Sequence, residues 1–357
     1  MRKGWEYKSF ETCINKLSKP KQVKTSEYSS GTKYPIISQE DKLISGYYDD
    51  ESYVFHIDSP VVIFGDHTRV LKYVDFDFVV GADGVKIISP KRELNAKFLL
   101  YYLQWYKIPN LGYSRHYKLL KEIDIPLPPL STQIAIVSEL DKINELIRLK
   151  KEQLKDFDNL AQSLFYEMFG EGKCMRKKLK DIVKIQSGQV SPLEEPYSEM
   201  IHVGPANIES NTGRLLNLKT AKEENLISGK YLFNSSMVLY SKIRPNLNKV
   251  TIPSFEGICS ADMYPIIPLE CIDKNFLLFL LKQKEFLTYA ISNSGRANIP
   301  KINREALLNY EAILPPLSLQ RLFAQRIEQI EREKSEVQKS IQDLETLLAS
   351  RMQYWFK

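Results

Sequence analysis

Mostly apolar residues recur in alternating steps of four and three along two long stretches of this sequence. The positions in the first stretch are Ile136, Leu140, Ile143, Ile147, Lys150, Leu154, Phe157, Ala161, Leu164 and Met168. Those in the second are Phe323, Ile327, Ile330, Lys334, Val337, Ile341, Leu344, Leu348, Arg351 and Trp355. This spacing is a heptad seam and predicts two coiled-coil helices. Each second position lies 187 residues after its counterpart, so the helices share one phase.

A nearly identical phrase opens both stretches. It reads Leu127-Pro128-Pro129-Leu130-Ser131-Thr132-Gln133 in the first copy and Leu314-Pro315-Pro316-Leu317-Ser318-Leu319-Gln320 in the second. Proline is tolerated at the start of a helix, and serine is a favourable N-cap residue. We therefore predict that Ser131 and Ser318 cap the two helices and that the first helix ends near Gly170.

Two lysines interrupt the apolar seam at different layers, Lys150 in the first helix and Lys334 in the second. A lysine at such a position can bury its aliphatic stem and extend its ammonium group to solvent. Alternatively, it can set the register of the pair at some loss of stability. The sequence leaves both interpretations open, and we favour the first.

The segments between the helices repeat more loosely, in the same order. The corresponding pairs are residues 61–69 with 237–245, residues 81–88 with 260–267, and residues 98–103 with 276–281. The first pair predicts a buried strand that runs into a polar, basic turn. The third pair predicts a helix packed on a sheet. Because the polar residues differ between copies, the pattern is typical of one scaffold that presents two different surfaces.

These repeats predict an α+β fold with two similar α/β domains, each followed by a long helix. We place the first globular domain at residues 1–126 and the first helix at 127–172. The second globular domain then covers residues 173–313, and the second helix covers 314–357. A chain of 357 residues is long enough for two such domains.

Composition narrows the class of protein only slightly. The net charge of +6 favours a polyanionic partner weakly, since DNA is bound through its phosphates by Lys and Arg. No apolar run is long enough to cross a membrane, and the N-terminal residues lack the apolar core of a signal peptide. The four cysteines, Cys13, Cys174, Cys259 and Cys271, show no CxxC spacing. We therefore expect buried or neutral thiols in a cytoplasmic protein.

The sequence lacks the motifs of several activities that act on DNA or nucleotides. The only double prolines lie between leucines, whereas an adenine methyltransferase would need an Asn/Asp-Pro-Pro-aromatic motif for the flipped base. No GxxxxGK(S/T) phosphate loop occurs. The isolated histidines, His56, His67, His116 and His202, have no metal-ligand spacing. We predict no catalytic residues, no metal and no cofactor on this chain.

The two LPPLxxQ phrases, each opening a long heptad helix and separated by α/β domains, resemble the specificity subunit of type I restriction-modification enzymes. The run Val238-Leu239-Tyr240-Ser241-Lys242-Ile243-Arg244-Pro245-Asn246-Leu247-Asn248-Lys249-Val250 resembles a stretch common in the target-recognition domains of that family. So does Phe64-Gly65-Asp66-His67-Thr68-Arg69. The resemblance covers essentially the whole chain.

The resemblance implies a function and a set of partners. Each globular domain would be a target-recognition domain that reads a few base pairs of double-stranded DNA, with an unspecified gap between the two words. The helices would pair as an antiparallel coiled coil that fixes the gap and docks two methyltransferase subunits. Restriction subunits that translocate DNA would complete the assembly. S-adenosylmethionine, ATP and magnesium would be used by those partners and not by this chain.

Loops that follow strands or precede helices are the expected carriers of DNA contacts, since base edges and phosphates need cationic, amide, imidazole or hydroxyl groups. The candidates in the first domain are His67, Thr68, Arg69, Ser114, Arg115, His116 and Lys118. Those in the second are Lys242, Arg244, Asn246, Asn248, Lys249, Arg296, Asn298 and Lys301. In both domains the later group lies shortly before the LPPL phrase.

Two other classes of function remain open from the residues alone. One is a non-catalytic coiled-coil interaction protein with two ligand-binding domains, which leaves the duplicated basic loops unexplained. The other is an enzyme with an unrecognised site. Activity of the isolated chain would support the enzyme, and neighbouring methyltransferase and helicase-nuclease genes would support the DNA-reading subunit.

Overall fold

The computed structural model describes residues 4–18, 20–31, 33–82, 84–112, 114–170, 174–295 and 298–357. The chain divides into two compact units. Unit 1 contains Met1–Leu154 and Val337–Lys357, and unit 2 contains Lys155–Glu336. Each unit therefore combines one globular domain with parts of both long helices, whereas the sequence-based division gave each helix a segment of its own.

The elements of the first half follow one another as β1 (Glu6–Ser9), α1 (Phe10–Cys13), β2 (Tyr34–Ile37), β3 (Gly46–Tyr48), β4 (Val54–Phe55), β5 (Val61–Gly65), β6 (Leu71–Val74), β7 (Phe78–Val80), β8 (Val85–Ile88), α2 (Ala96–Tyr106), α3 (Tyr117–Leu120), β9 (Asp124–Leu127) and α4 (Leu130–Phe169). The globular part of unit 1 forms three sheets, with strand orders β1-β9, β3-β2-β7-β4 and β6-β5-β8. Strand β5 is buried along its whole length, because Val62 and Phe64 pack with helix α2 while Val61 and Ile63 pack with strands β2 and β7. The predicted buried strand and the predicted helix at residues 98–103 are both confirmed.

The second half continues with β10 (Met175–Lys178), β11 (Val183–Ile185), β12 (Gln189–Val190), β13 (Ile201–Val203), β14 (Lys219–Thr220), β15 (Lys230–Phe233), β16 (Val238–Ser241), β17 (Val250–Thr251), β18 (Gly257–Cys259), β19 (Met263–Pro268), α5 (Lys274–Lys282), α6 (Lys284–Ser292), α7 (Arg304–Asn309), β20 (Glu311–Leu314) and α8 (Leu317–Phe356). The strand orders are β10-β20, β11-β19-β16-β17 and β12-β15-β18-β13-β14. Strand β16 is buried, which confirms the strand predicted within residues 237–245. Helix α5 confirms the helix predicted at residues 276–281.

The two globular domains share their topology. Strand β2 pairs in parallel with β7, as β13 does with β18. Strands β5 and β8 pair antiparallel, as do β16 and β19. An antiparallel pair, β1 with β9 or β10 with β20, leads directly into each long helix. The loose sequence repeat therefore reflects one fold built twice.

Helices α4 and α8 run antiparallel within each unit. In unit 1, Glu139 of α4 bonds to Arg351 of α8. Further along α4, Lys151 Nζ lies 2.8 Å from Glu345 Oε1, a residue that comes earlier in α8 than Arg351. The contacts therefore advance along α4 while they go back along α8. Every position of the predicted seam is buried or half-buried. The predicted antiparallel coiled coil is confirmed on this pairing.

In unit 2 the same order holds between Asp158 and Lys334, and then between Phe165 and Phe323. The ammonium group of Lys334 leaves the seam to lie 2.7 Å from Asp158 Oδ1 and 3.1 Å from Glu331 Oε1. Lys150 instead donates to Gln153 on its own helix at 3.2 Å. Both geometries are those of lysines that extend their charge out of an apolar seam.

Both helices begin one residue before the serines that the sequence predicts as caps. The Pro129 carbonyl accepts from Thr132 N and Gln133 N, and the Pro316 carbonyl accepts from Leu319 N and Gln320 N. The prediction that Ser131 and Ser318 are N-caps is therefore wrong, because each lies inside the first turn. The second proline of each phrase supplies the carbonyl that an N-cap residue contributes.

Candidate nucleic-acid interface

A buried aspartate joins the two candidate loops of unit 1. Asp66 follows the buried strand β5, and its backbone carbonyl accepts from His116 N at 2.9 Å. Its Oδ1 accepts from Tyr117 N at 2.7 Å, and Lys86 Nζ lies 3.8 Å from its Oδ2. The turn after β5 and the loop before β9, which are about 50 residues apart in sequence, therefore lie side by side.

The predicted residues in the turn after β5 are held by neighbouring loops. The half-buried His67 donates its backbone N–H to Gln39 Oε1 at 3.3 Å, and the exposed Thr68 donates its hydroxyl to the Gln39 carbonyl at 2.6 Å. Arg69 donates from Nη1 to the Ile108 carbonyl at 3.1 Å. The side chains of Thr68 and Arg69 thus help to fix this surface, and both remain accessible at least in part.

The second candidate loop of unit 1 contains one buried, one half-buried and two exposed residues. His116 has no exposed surface, and its Nε2 accepts from Leu111 N at 3.0 Å. Its Nδ1 therefore carries the proton and donates to the Asp66 carbonyl at 2.9 Å. His116 supports the loop from inside, while Arg115 and Lys118 are exposed and Ser114 is half-buried.

The corresponding loops of unit 2 also lie together. In the turn after β16, Arg244 N donates to the Pro300 carbonyl at 2.8 Å. The Lys242 carbonyl of the same turn accepts from Ile302 N at 2.9 Å. The side chains of Lys242 and Lys301 converge on Asp262, with Nζ to Oδ1 distances of 3.8 and 3.3 Å. This carboxylate partly neutralises both lysines.

The remaining candidates of unit 2 divide by burial. Asn246 and Asn298 are exposed, whereas Asn248 is buried and donates from Nδ2 to the Lys282 carbonyl at 3.4 Å. Lys249 donates from Nζ to the Pro205 carbonyl at 2.6 Å. Asn248 and Lys249 therefore hold the turn in place. Arg296 lies outside the described residues.

An arginine with a left-handed backbone occurs in each turn, Arg69 with φ of 61° and Arg244 with φ of 47°. Positive φ is uncommon for residues other than glycine, and such conformations concentrate at functional sites. The two side chains differ in their availability. Within the described part of the chain, no acceptor bonds to the exposed Arg244 guanidinium, whereas that of Arg69 bonds to a carbonyl. A free guanidinium offers the paired donors that match a guanine edge or a phosphate.

Sequence reasoning missed a buried cation that orders the interface of unit 1. Lys72, on β6, donates from Nζ to the Ser38 carbonyl at 2.9 Å and to the Lys42 carbonyl at 2.5 Å. Burial lowers the pKa of this lysine. The sequence feature that could have revealed Lys72 is a charged residue inside an otherwise apolar strand, Leu71-Lys72-Tyr73-Val74. Its contacts fix the loop that follows β2 beside the turn that contains Thr68.

The described residues show neither a metal-binding cluster nor a membrane-spanning helix. They contain no group of three or more His, Cys, Asp or Glu side chains arranged to hold a metal ion. None of the helices described is both long and apolar enough to span a bilayer. All four cysteines are free thiols: Cys13 and Cys259 are buried, Cys174 is half-buried and Cys271 is exposed.

Comparison with protein families gives one match that occurs twice. A family model described as the type I restriction modification DNA specificity domain matches residues 2–156 and 172–346. The chain is 36% identical over 182 residues to the type I restriction enzyme EcoDI specificity subunit of Escherichia coli, which covers 51% of this chain and 38% of that protein. It is 26% identical over 270 residues to the MjaVIII specificity subunit of Methanocaldococcus jannaschii, which covers 65% of this chain and 62% of that protein. These two matches span less than two thirds of either relative.

A longer match and two solved structures extend the comparison. The EcoR124I/EcoR124II specificity subunit of Escherichia coli is 22% identical over 352 residues, which covers 89% of this chain and 85% of that protein. The S subunit of a type I restriction-modification system from M. genitalium superposes with a TM-score of 0.61 at 16% identity, over 98% of this chain and 95% of that one. A chain from a study of type I R-M complex assembly superposes with a TM-score of 0.60 at 17% identity, over 100% and 98% of the two chains. At these identities the solved structures establish the shared fold.

Proposed function

The chain belongs to the type I restriction modification DNA specificity domain family, and we propose that it reads a bipartite target in double-stranded DNA. Each globular domain recognises one short word. The observation that carries this proposal is the turn after the buried strand β5 or β16. In both units that turn contains a left-handed arginine and lies against the loop that leads to an LPPL helix. A rigid strand under a polar, basic turn is a suitable support for base contacts.

The chain acts within this proposal as a scaffold without a catalytic site. Two methyltransferase subunits and the restriction subunits assemble on it, and the antiparallel helices set the gap between the two words. S-adenosylmethionine, ATP and magnesium are bound by those partner subunits. The relatives named as specificity subunits support this assignment, and so does the heptad seam shared by α4 and α8.

Methylome sequencing tests the proposal directly. The chain and its methyltransferase partner are expressed together in a host that lacks other adenine methylation. We expect methylated adenines in one bipartite motif, and no methylation when the partner is expressed without the chain. A motif that persists without the chain would contradict the proposal. Catalysis by the purified chain alone would instead support the enzyme alternative.

A further inference from the structure

A hairpin that the sequence patterns do not reveal lies beside residues 242–249, the turn after β16 that forms the recognition turn of unit 2. It occupies the connection between β13 and β14, where Ile208 bridges to Leu215 and Glu209 N donates to the Arg214 carbonyl at 2.9 Å. Its tip contacts the recognition turn, because Asn211 N donates to the Leu247 carbonyl at 3.3 Å. The two segments therefore form one continuous surface.

Three contacts fix this hairpin against its neighbours. Lys282, at the end of α5, donates from Nζ to the Thr212 carbonyl at 2.9 Å. Gly213 has a φ of 78°, and a Cβ atom there would lie 2.3 Å from the Val250 carbonyl oxygen, so the backbone approaches as only glycine permits. Lys249, in the recognition turn, binds the Pro205 carbonyl at the start of the same connection. The hairpin is therefore held in a defined position.

The exposed side chains of the hairpin have the chemistry of DNA recognition. Asn211, Thr212 and Arg214 are all exposed. An asparagine can pair with an adenine edge and an arginine with a guanine edge through two hydrogen bonds each. Glu209 accepts from Thr212 Oγ1 at 2.6 Å and from Arg214 Nη2 at 3.0 Å, which orients the guanidinium without burying it.

In unit 1 the connection between β2 and β3 corresponds to the one that contains the hairpin, and it also lies beside the turn that follows the buried strand. The loop between β2 and β3 lies against the turn after β5, because Thr68 of that turn binds the Gln39 carbonyl and Lys72 on β6 binds the Ser38 carbonyl. In both units a lysine holds this connection, Lys72 on β6 in unit 1 and Lys249 just before β17 in unit 2. The position of this connection beside the recognition turn is thus a property of the fold, while its residues differ between the two copies.

We propose that the hairpin at residues 209–214 is a second DNA-reading loop of unit 2, in which Asn211 and Arg214 contact base edges of the second word. The proposal rests on the DNA-reading function argued above. Together with Arg244 and Asn246, these residues determine which bases the second domain accepts. Lys282 and Gly213 are positioning residues that hold the hairpin against the recognition turn.

Methylome sequencing of cells that carry the complete methyltransferase complex tests the hairpin with Asn211→Ala and Arg214→Ala. We expect relaxed selectivity at one or more bases of one word, with discrimination falling roughly 5- to 150-fold, while the other word stays unchanged. Arg214→Lys keeps the charge but loses the two-pronged donor, so it should relax the same base as Arg214→Ala. This conservative variant keeps the test decisive if either alanine variant fails to fold.

Two control variants separate DNA reading from backbone and charge effects. Asn225→Ala removes an exposed asparagine of unit 2 whose φ of 53° is close to the 66° of Asn211. Lys222→Ala removes an exposed cation paired with Glu199 at 2.8 Å, as Arg214 is paired with Glu209. Complexes that contain either control variant should methylate the same motif as the wild-type complex.

The possible outcomes distinguish the hairpin from the function on which it rests. An unchanged motif in both hairpin variants, at wild-type or at uniformly reduced extent, would overturn the base-reading role. Equal relaxation in a control variant would overturn it as well. If the wild-type chain directs no bipartite methylation, the proposed function fails and the role of the hairpin fails with it.

Discussion

The side-chain Oε1 of Gln133 accepts a hydrogen bond from the backbone N–H of Asn95 at 2.8 Å. Its Nε2 donates to the carbonyls of Glu93 and Pro128 at 2.8 and 2.9 Å. Gln320 forms the same three bonds in unit 2, with Asp273, Cys271 and Pro315, and both glutamines are fully buried. Only an uncharged amide offers one acceptor and two donors in this geometry. The last residue of each LPPLxxQ phrase therefore locks a long helix to the capping residue of α2 or α5.

Replacing Gln133 with leucine should destabilise unit 1 by about 2–5 kcal/mol, because three backbone groups lose the partner that this fully buried amide supplies. Chemical unfolding of the purified chain measures this loss. The matched control is Gln153→Leu on the exposed surface of the same helix, which should change the unfolding free energy by less than about 0.5 kcal/mol. Equal effects from the two variants would show that the bonds of Gln133 contribute little.

The ends of the two helices occupy equivalent pockets. Phe356 packs against Phe98 in unit 1 with 5.5 Å between ring centroids, and Phe169 packs against Phe276 in unit 2 at 5.3 Å. Phe169 and Phe356 are 187 residues apart, which is the offset of the seam. A chain that ends at residue 170 lacks Phe356 but retains its equivalent. We therefore expect this half-chain to form a two-fold dimer in which Phe169 of each copy fills the Phe98 pocket of the other.

Analytical ultracentrifugation at tens of micromolar measures the association of this half-chain. Phe169→Ala should weaken the dimer strongly, since truncation of a buried phenylalanine typically costs about 3–5 kcal/mol. Tyr166→Ala, one turn earlier and 61% exposed, is the control and should leave the dimer intact. With the methyltransferase bound, the dimer should modify a palindrome. A half-chain that stays monomeric would contradict this prediction.

Stability of unit 2 should depend on pH through His202. This buried histidine lies on β13 with its Nδ1 2.7 Å from Glu224 Oε2, and burial lowers its pKa although Glu224 opposes the shift. A folded-state pKa below the unfolded value near 6.5 means that the unfolded chain binds the extra proton in acid. The contribution is therefore complete above about pH 6.5 and is lost as the pH falls through the folded-state pKa.

Unfolding free energies of the wild-type chain and His202→Gln between pH 5 and pH 8 test this dependence. The variant should lose less stability on acidification, and the difference between the two curves isolates His202 from the other titrating groups. Glu224→Gln removes the group that raises the histidine pKa, so the loss should begin at the same pH but extend to lower pH and become larger. Parallel curves for the wild-type chain and His202→Gln would refute the shift.

Arg244→Ala should weaken binding of the assembled methyltransferase to its target by about 1–3 kcal/mol if the guanidinium reads a guanine edge. If it contacts only phosphate, specific and non-specific affinity should fall together. The slope of log K against log salt concentration should then become shallower by about one unit. Titrations of target and non-target duplexes at several salt concentrations separate these cases. Lys222→Ala is the control in the same unit. An unchanged affinity at every salt concentration, with the fold intact, would remove Arg244 from the interface.

Patterns that depend on neighbouring residues could be predicted from the sequence. The heptad seam, the buried strands at residues 61–65 and 238–241, and the helices that contain Phe98 and Phe276 all follow from local periodicity, and the structure has each of them. The phase shared by the two helices follows from the constant offset of 187 residues. Periodicity is informative here because a helix or strand buries one face along its own length.

Contacts between residues distant in the chain were decided only by the tertiary structure. The structure buries His116 against the Asp66 carbonyl and brings the hairpin at residues 209–214 to Leu247, and no local pattern encodes either contact. At the helix ends, Phe165, Phe169 and Phe356 are buried more deeply than the seam residues beside them, because each end packs on a globular domain. Which polar loop residues face solvent depends on which backbone groups lie nearby after folding. That proximity depends on the packing of distant segments and not on residue type.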